Sequence, residues 1–363
     1  MTKKCFTCLA VVSLLFFVQS GGSRTAAQDD PTHLRVNVVL VQLNIAVTDD
    51  KGNYVTGLRP EDFSITEDKI AQKVSTFEES EQSGHDAMET VRHDQAHAHD
   101  AAKAAAADSA LKSAEEAAGV TISHLTDANV FILFDTSNYM YKGFVFAQDA
   151  IADFIRSMDQ SSKVAFYSYS RNLSRATALS SDHFRTVSGV RSTVAGDDAA
   201  LYNSLLLTVK DAAPLKGRKA IVVFSNGPDN ASSVPPEDVA ELAQSTGTII
   251  YIISTRQAQE DPVSAAAFER MSKVSGGKAY FAKNWREEKQ AFASIKEDLV
   301  HLYTLSYYPQ ANPNRGWRSI KVKLVGKDLQ KYHIRTRDGY RLLPITSQPA
   351  DDLSLRATDA DSK

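Results

Sequence analysis

The sequence predicts an α/β fold: a doubly wound, mostly parallel sheet, inserted in a small β-sandwich formed by both chain ends. Three observations carry this. Residues 130–134, 164–167, 220–224 and 249–253 are continuous apolar runs, as expected of strands buried on both faces. Helical stretches at 146–158, 200–212, 236–246 and 265–274 separate or follow them, and alternating strands and helices indicate a doubly wound sheet. Both flanks instead carry short segments of strand-like alternation, each set too small to bury a core by itself.

The elements follow in chain order. Lys3 and Lys4, an apolar run over residues 5–18 and small residues ending at Ala27 have the order of a secretory signal peptide, residues 1–27, with cleavage before Gln28. The run is shorter than the roughly 20 apolar residues a membrane span requires. Cys5 and Cys8, the only cysteines, lie in this leader, so the mature chain is expected to fold without a disulfide. Residues 33–79 read as the first part of the sandwich. Leu34, Val36, Val38 and Leu40 alternate, and then Val39, Val41, Leu43, Ile45 and Val47 alternate in the opposite phase, which predicts a bulge or a change of sheet near Val39. Residues 63–67 and 73–77 read as further strands.

Residues 80–125 change character: Ala, His, Asp, Glu and Ser dominate and large apolar residues are few, which predicts a solvated linker or insert. The α/β domain is expected over 126–299, with a last strand and helix at 278–281 and 287–299. Residues 300–345 return to strand periodicity at 302–308, 319–325 and 332–337 and form the second part of the sandwich. The polar segment 346–363 is expected to be a disordered tail.

Composition narrows the function. A net charge of −3 on 363 residues gives no argument for a nucleic-acid partner, and no segment of the mature chain is apolar for long enough to span a membrane. Catalytic signatures are missing: there is no G-x-S-x-G, H-E-x-x-H or G-x-G-x-x-G, and Gly276-Gly277-Lys278 lacks the upstream glycine of a P-loop. Asp62, Glu67 and Asp68 read as a solvated strand edge rather than paired acids. Tyr303, Tyr307 and Tyr308 read as core and edge packing. His93 and His97 would share one face of a helix, as metal pairs do, but in a polar tract the simpler reading is solvated histidine.

In an open α/β sheet the crevice lies beyond the carboxyl ends of the central strands. Here those ends carry Asp135-Thr136-Ser137, Ser225-Asn226-Gly227 and Ser254-Thr255. FILFDTSNYM resembles the first strand and metal loop of von Willebrand factor type A domains, AALYNSLLLTV the start of their third helix, and RKAIVVFSNGPDN their later strand. VTGLRPEDFSITED, YTLSYYPQ and IRTRDGYR resemble the flanks of exported bacterial VWFA-related proteins. The resemblance implies a Mg²⁺ site of carboxylates and hydroxyls, with Asp135 and Ser137 as metal ligands. It also implies that the site is degraded. Tyr139 stands where a second serine is expected, Ala199 where a threonine is, and Asn226 where an aspartate is. Asp197, Asp198 and Asp229 are near enough in sequence to compensate, or else are turn and helix-cap residues. The resulting expectation is an exported, secreted or periplasmic, non-enzymatic module that binds an unknown protein ligand. Its face comprises Asp135, Ser137, Tyr139, Asp198, Asn226 and Asp229, with no cofactor and at most residual Mg²⁺. The alternative is a structural cell-envelope protein in which the α/β domain is only a scaffold.

Overall fold

The computed structural model describes residues 40–79, 128–255 and 260–342. The expected leader, the alternating residues before Leu40, the histidine tract and the tail lie outside the described residues.

The central sheet has six strands in the order β10-β9-β8-β5-β6-β7. These are β5 (Ala128–Asp135), β6 (Lys163–Tyr169), β7 (Leu173–Ser180), β8 (Arg218–Phe224), β9 (Thr248–Ser254) and β10 (Ala279–Phe281). All pairings are parallel except β6 with β7. Six helices flank the sheet: α1 (Phe144–Ser157), α2 (His183–Arg191), α3 (Leu201–Ala212), α4 (Pro236–Thr246), α5 (Pro262–Ser275) and α6 (Trp285–Val300). The period of two sorts the strand side chains. Val130, Ile132 and Phe134 of β5 join α1, α2 and α6 in one core, whereas Phe131 and Leu133 join α3, α4 and α5 in the other. That two-sided burial is why these strands are unbroken apolar runs.

Local chemistry ends the helices where the sheet requires. Pro262 opens α5 behind Asp261, whose side chain accepts a hydrogen bond from Ser264 N at 3.1 Å. Gly276 closes it at φ +88°, a left-handed cap. A Cβ on Gly277 would lie 2.0 Å from Ile250 O, so this glycine lets the chain pass close against β9. The Gly276-Gly277 pair is therefore a helix stop and a close approach.

Both chain ends build the sandwich. One sheet runs β13-β1-β11-β4 and the other β14-β12-β2-β3. The strands are β1 (Val41–Thr48), β2 (Phe63–Glu67), β3 (Ile70–Gln72), β4 (Val74–Glu79), β11 (Tyr303–Tyr307), β12 (Trp317–Leu324), β13 (His333–Arg335) and β14 (Gly339–Arg341). Leu43, Ile45, Phe63, Ile65, Leu305 and Ile320 share one buried core, so neither end could form it alone. The expected inserted arrangement is what the molecule adopts. Tyr303 and Tyr307 are fully buried, and Tyr308 is exposed.

Two sequence readings need correction. Glu67 is not on a solvated edge: it is fully buried, and its carboxylate accepts hydrogen bonds from Arg318 Nη1 at 2.9 Å, Tyr307 OH at 2.9 Å and Tyr340 OH at 3.0 Å. The isolated acid looked exposed because its cation lies far along the chain. Asp68, in the tight β2–β3 turn at φ 49°, accepts from Asn312, Asn314 and Ser319, and those bonds hold its carboxyl at about 2. The second correction is an omission. β7 and α2 were not read from sequence, because β7 is a polar edge strand with only Thr177 buried.

The sandwich is tied to the α/β domain through α6. Asp298, 1 % exposed, accepts hydrogen bonds from Tyr54 OH at 2.9 Å, from Tyr251 OH and from Arg335. Arg337, also buried, donates to Gln42 O at 2.8 Å and to Gln244 O.

Candidate functional site

β5 is the switch strand: the chain leaves it toward β6 and β7 on one side, then crosses from β7 through α2 and α3 to β8 on the other. A crevice therefore opens beyond its carboxyl end, at Asp135. The structure brings Asp135, Ser137, Tyr139 and Asn226 together here and orders the 196–200 and 226–232 loops beside them. Gly196 N donates to Thr136 O at 2.7 Å, and Ala200 N donates to Ser170 O at 2.8 Å.

Asp135 is fully buried, and both its oxygens are occupied. One accepts Ser137 N at 2.9 Å and the other Ser225 Oγ at 2.9 Å. Ser225 Oγ in turn accepts Tyr169 OH at 2.9 Å and Gly227 N at 3.0 Å, which exhausts its donor and its lone pairs. Burial pushes the Asp135 carboxyl above the usual carboxylate range, against the lowering by the serine hydrogen bonds. Ser137 Oγ is buried without a hydrogen-bond partner.

The other expected ligand positions are occupied by structure. Asn226 Nδ2 donates to Tyr139 O at 3.2 Å, while Asn226 Oδ1 accepts Thr255 N at 3.0 Å and the Thr255 hydroxyl. One amide thus joins the ends of β5, β8 and β9. Ala199 is fully buried and brings only a methyl group. The start of α3 has no side-chain cap of its own at Ala200, and the 229–232 loop supplies one. Asp229 Oδ2 accepts Tyr202 N at 2.8 Å, Ser232 Oγ accepts Asn203 N at 2.9 Å, and Asp229 Oδ1 accepts Ser232 N at 2.8 Å. Asp198 pairs with exposed Arg171 at 2.9 Å, and Asp197 accepts the Tyr141 hydroxyl at 3.2 Å. The candidate compensating acids are therefore turned to cap, ion-pair and loop contacts.

This donor set does not fit Mg²⁺. The ion requires near-octahedral hard oxygens at about 2.0–2.1 Å, and here Asp135, Asn226 and Asp229 are engaged within the fold while Ala199 offers no side-chain oxygen. Among the described residues, no group of three or more His, Cys, Asp or Glu is placed to hold a metal.

The fold, the crevice at a strand-order switch and the DTSNY segment agree with one family, and the family model for the von Willebrand factor type A domain matches residues 129–294. Residues 129–294 form a von Willebrand factor type A domain. No curated protein matches the chain by sequence. Among solved structures, the chain is similar to an aerotolerance-related membrane protein from Bacteroides fragilis, at 16% identity over 48% of this chain and 98% of that one, with a TM-score of 0.40. It is also similar to BatB from Bacteroides thetaiotaomicron, at 15% identity over 48% and 97% of the chains, with a TM-score of 0.39. The vWF domain of the type V pili tip protein Mfa5 from Porphyromonas gingivalis gives 12% identity over 47% and 94%, with a TM-score of 0.39.

The polar strand ends placed Ser225 and Thr255 at this von Willebrand factor type A crevice but gave them no role, and Tyr169, inside an apolar strand, was missed. An apolar crest at the rim was missed as well. Tyr141, in the 3-10 turn before α1, is 52% exposed, Val145 and Phe146 at the start of α1 are 62% and 63% exposed, and Val194 is 80% exposed in the loop that Tyr141 contacts through Gly196 O. No helix among the described residues is long and apolar enough to cross a membrane.

Proposed function

We propose that this chain is an exported, non-enzymatic protein-binding module that recognises its partner without a metal ion. The recognition face is the rim above Asp135: Ser137, Tyr139, Asp198, Asn226 and Asp229 together with the crest of Tyr141, Val145, Phe146 and Val194. The observation that carries the reading is the buried hydrogen-bond chain from Tyr169 through Ser225 to Asp135, beside an Asn226 amide that is engaged by Tyr139 and Thr255. A metal-dependent adhesion site uses an ion to offer a free coordination position to an acidic partner residue. Here the carboxylate is spent inside the fold, and what faces outward is aromatic and aliphatic surface, as expected at the centre of a protein interface.

Export rests on the leader and cofactor independence on the donor set. The test is capture from the native envelope by the mature chain, with and without chelator. Phe146→Ser should abolish capture, and chelator should not. Phe184→Ser is the control: Phe184 is 86% exposed on α2, beside His183, which contacts Ser162 at the opposite end of the sheet. Capture unaffected by Phe146→Ser would favour the second reading, a structural envelope protein in which the sandwich makes the contacts.

A further inference from the structure

The second sheet of the sandwich has a strand edge that runs beside a row of lysines. β14 pairs with β12 only over residues 317–319. Asp68 N donates to Ser319 O and Val325 N donates to Asp62 O, so the main-chain groups of odd-numbered β12 residues face β2. Ile320 N donates to Asp338 O, which places the even-numbered groups on the opposite side. Among the described residues, nothing pairs with the main chain of Val322 and Leu324 on that side. The chain then turns through residues 325–332 and returns as β13, which pairs with β1 of the other sheet. Between the two splayed strands lies a groove of about 400 Å³, whose apolar lining is Val322, Leu324, Leu329, Tyr332 and Ile334.

The two faces of β12 differ in chemistry. Val322 and Leu324 turn toward the groove and the sandwich core, while Lys321 and Lys323 stand exposed on the outer face. Lys327 and Lys331, also exposed, follow in the turn. None of these four lysines makes an ion pair with a described residue, and Asp328 is the single acid between residues 320 and 334. A strand added at this edge is therefore specified position by position. Its side chains opposite Val322 and Leu324 enter the groove and must be apolar. Those opposite Lys321 and Lys323 lie on the outer face, where an opposite charge stabilises the cross-strand pair and a like charge destabilises it. Lysines on an edge also deter pairing between like copies, so a second β12 edge is repelled where an acidic strand is admitted. The chain's own alternating segment, residues 34–38, carries Arg35 and no acid.

We propose that this edge takes up an extended segment of a second protein in which acidic and apolar residues alternate. Main-chain hydrogen bonds to Val322 and Leu324 align the segment, the groove receives its apolar side chains, and Lys321 and Lys323 pair with its carboxylates. The contact belongs to the sandwich and not to the rim above Asp135, so it does not depend on the reading given for that rim.

The probe is a capped, fluorescent peptide of about eight residues alternating glutamate and valine, read by anisotropy against the chain from Gln28 onward. It should bind saturably, and a peptide with lysine in place of glutamate should bind about tenfold more weakly. The double variant Lys321→Glu, Lys323→Glu changes two exposed side chains and should reverse that preference. Main-chain pairing is tested on the peptide itself, by N-methylation of alternate residues. One set of nitrogens faces β12 and its methylation should abolish binding, whereas methylation of the other set should leave binding intact. The Phe146→Ser variant should bind the peptide as the wild type does, which separates this proposal from the role of the rim. No saturable binding, as follows if another part of the chain covers the edge, overturns the proposal. Equal loss from both methylated sets, or a preference that the lysine substitutions do not reverse, overturns it too.

Discussion

Ser225→Ala isolates the circuit beneath the crevice. The substitution deletes one hydroxyl and three hydrogen bonds: to the Asp135 carboxylate at 2.9 Å, from Tyr169 OH at 2.9 Å and from Gly227 N at 3.0 Å. Asp135, Tyr169 and Ser225 are all at most 1% exposed, so water cannot replace what is lost. A buried polar group left unpaired costs about 1–3 kcal/mol, and more when charged. Tyr169 OH can turn toward the carboxylate and recover part of this, so the net loss should be about 2–4 kcal/mol. Urea unfolding should show a lower midpoint with an unchanged slope. Tyr169→Phe should cost about 1 kcal/mol, and the double variant should cost less than the sum, because the orphaned hydroxyl is gone. The pH dependence follows in sign. Burial raises the Asp135 carboxyl in the fold, so the native state holds its proton more tightly than the unfolded chain does. Stability from this group is full below the usual carboxylate range and declines as pH rises through the raised value. Removing the Ser225 hydrogen bond should steepen that decline. A cost below about 0.5 kcal/mol, or strict additivity with Tyr169→Phe, would refute the circuit.

Three further outcomes are expected. Glu67→Ala should cost about 3–5 kcal/mol by urea unfolding, since it strands buried Arg318 and the Tyr307 and Tyr340 hydroxyls; a cost near zero would contradict the buried ion pair. Asp298→Ala should loosen the junction between sandwich and α/β domain, read as faster amide exchange in β13 and around Tyr54 with little change in β5; uniform protection would contradict the tie through α6. Mass spectrometry of the exported protein should find an amino terminus near Gln28, and an intact Met1 in the cytoplasm would contradict export.

Periodicity made the scaffold legible. The central strands are unbroken apolar runs because helices cover both faces, and β2 and β12 of the sandwich alternate because one face is covered, whereas β1 and β11 are buried on both. The joining of both ends followed from the smallness of each. β7 was hidden because an edge strand with one buried residue has no pattern to show. α2 carried a readable signal, the Asp182 cap accepting Arg185 N at 3.0 Å ahead of Val187 and Val190, but it is short and polar. The site was legible as a set of positions and not as a circuit. Tyr139, Ala199 and Asn226 could be recognised as departures, yet the role of Asn226 depends on Thr255 and that of Asp229 on α3. Those partners lie 29 and 27 residues away in the chain. Glu67 failed for the same reason, because a long-range partner decides whether an acid is solvated or buried.

The central claim is that the crevice above Asp135 works without a metal, and calorimetric titration of the folded mature chain with Mg²⁺ and Mn²⁺ tests it most directly. Asp135 would have to give up its bonds to Ser137 N and Ser225 before coordinating an ion, while Asn226 brings no charge and Ala199 no oxygen. The account predicts no micromolar heat signal that depends on Asp135. Micromolar binding in the wild type that Asp135→Ala abolishes would contradict it and would make Asp197, Asp198 or Asp229 a ligand after all.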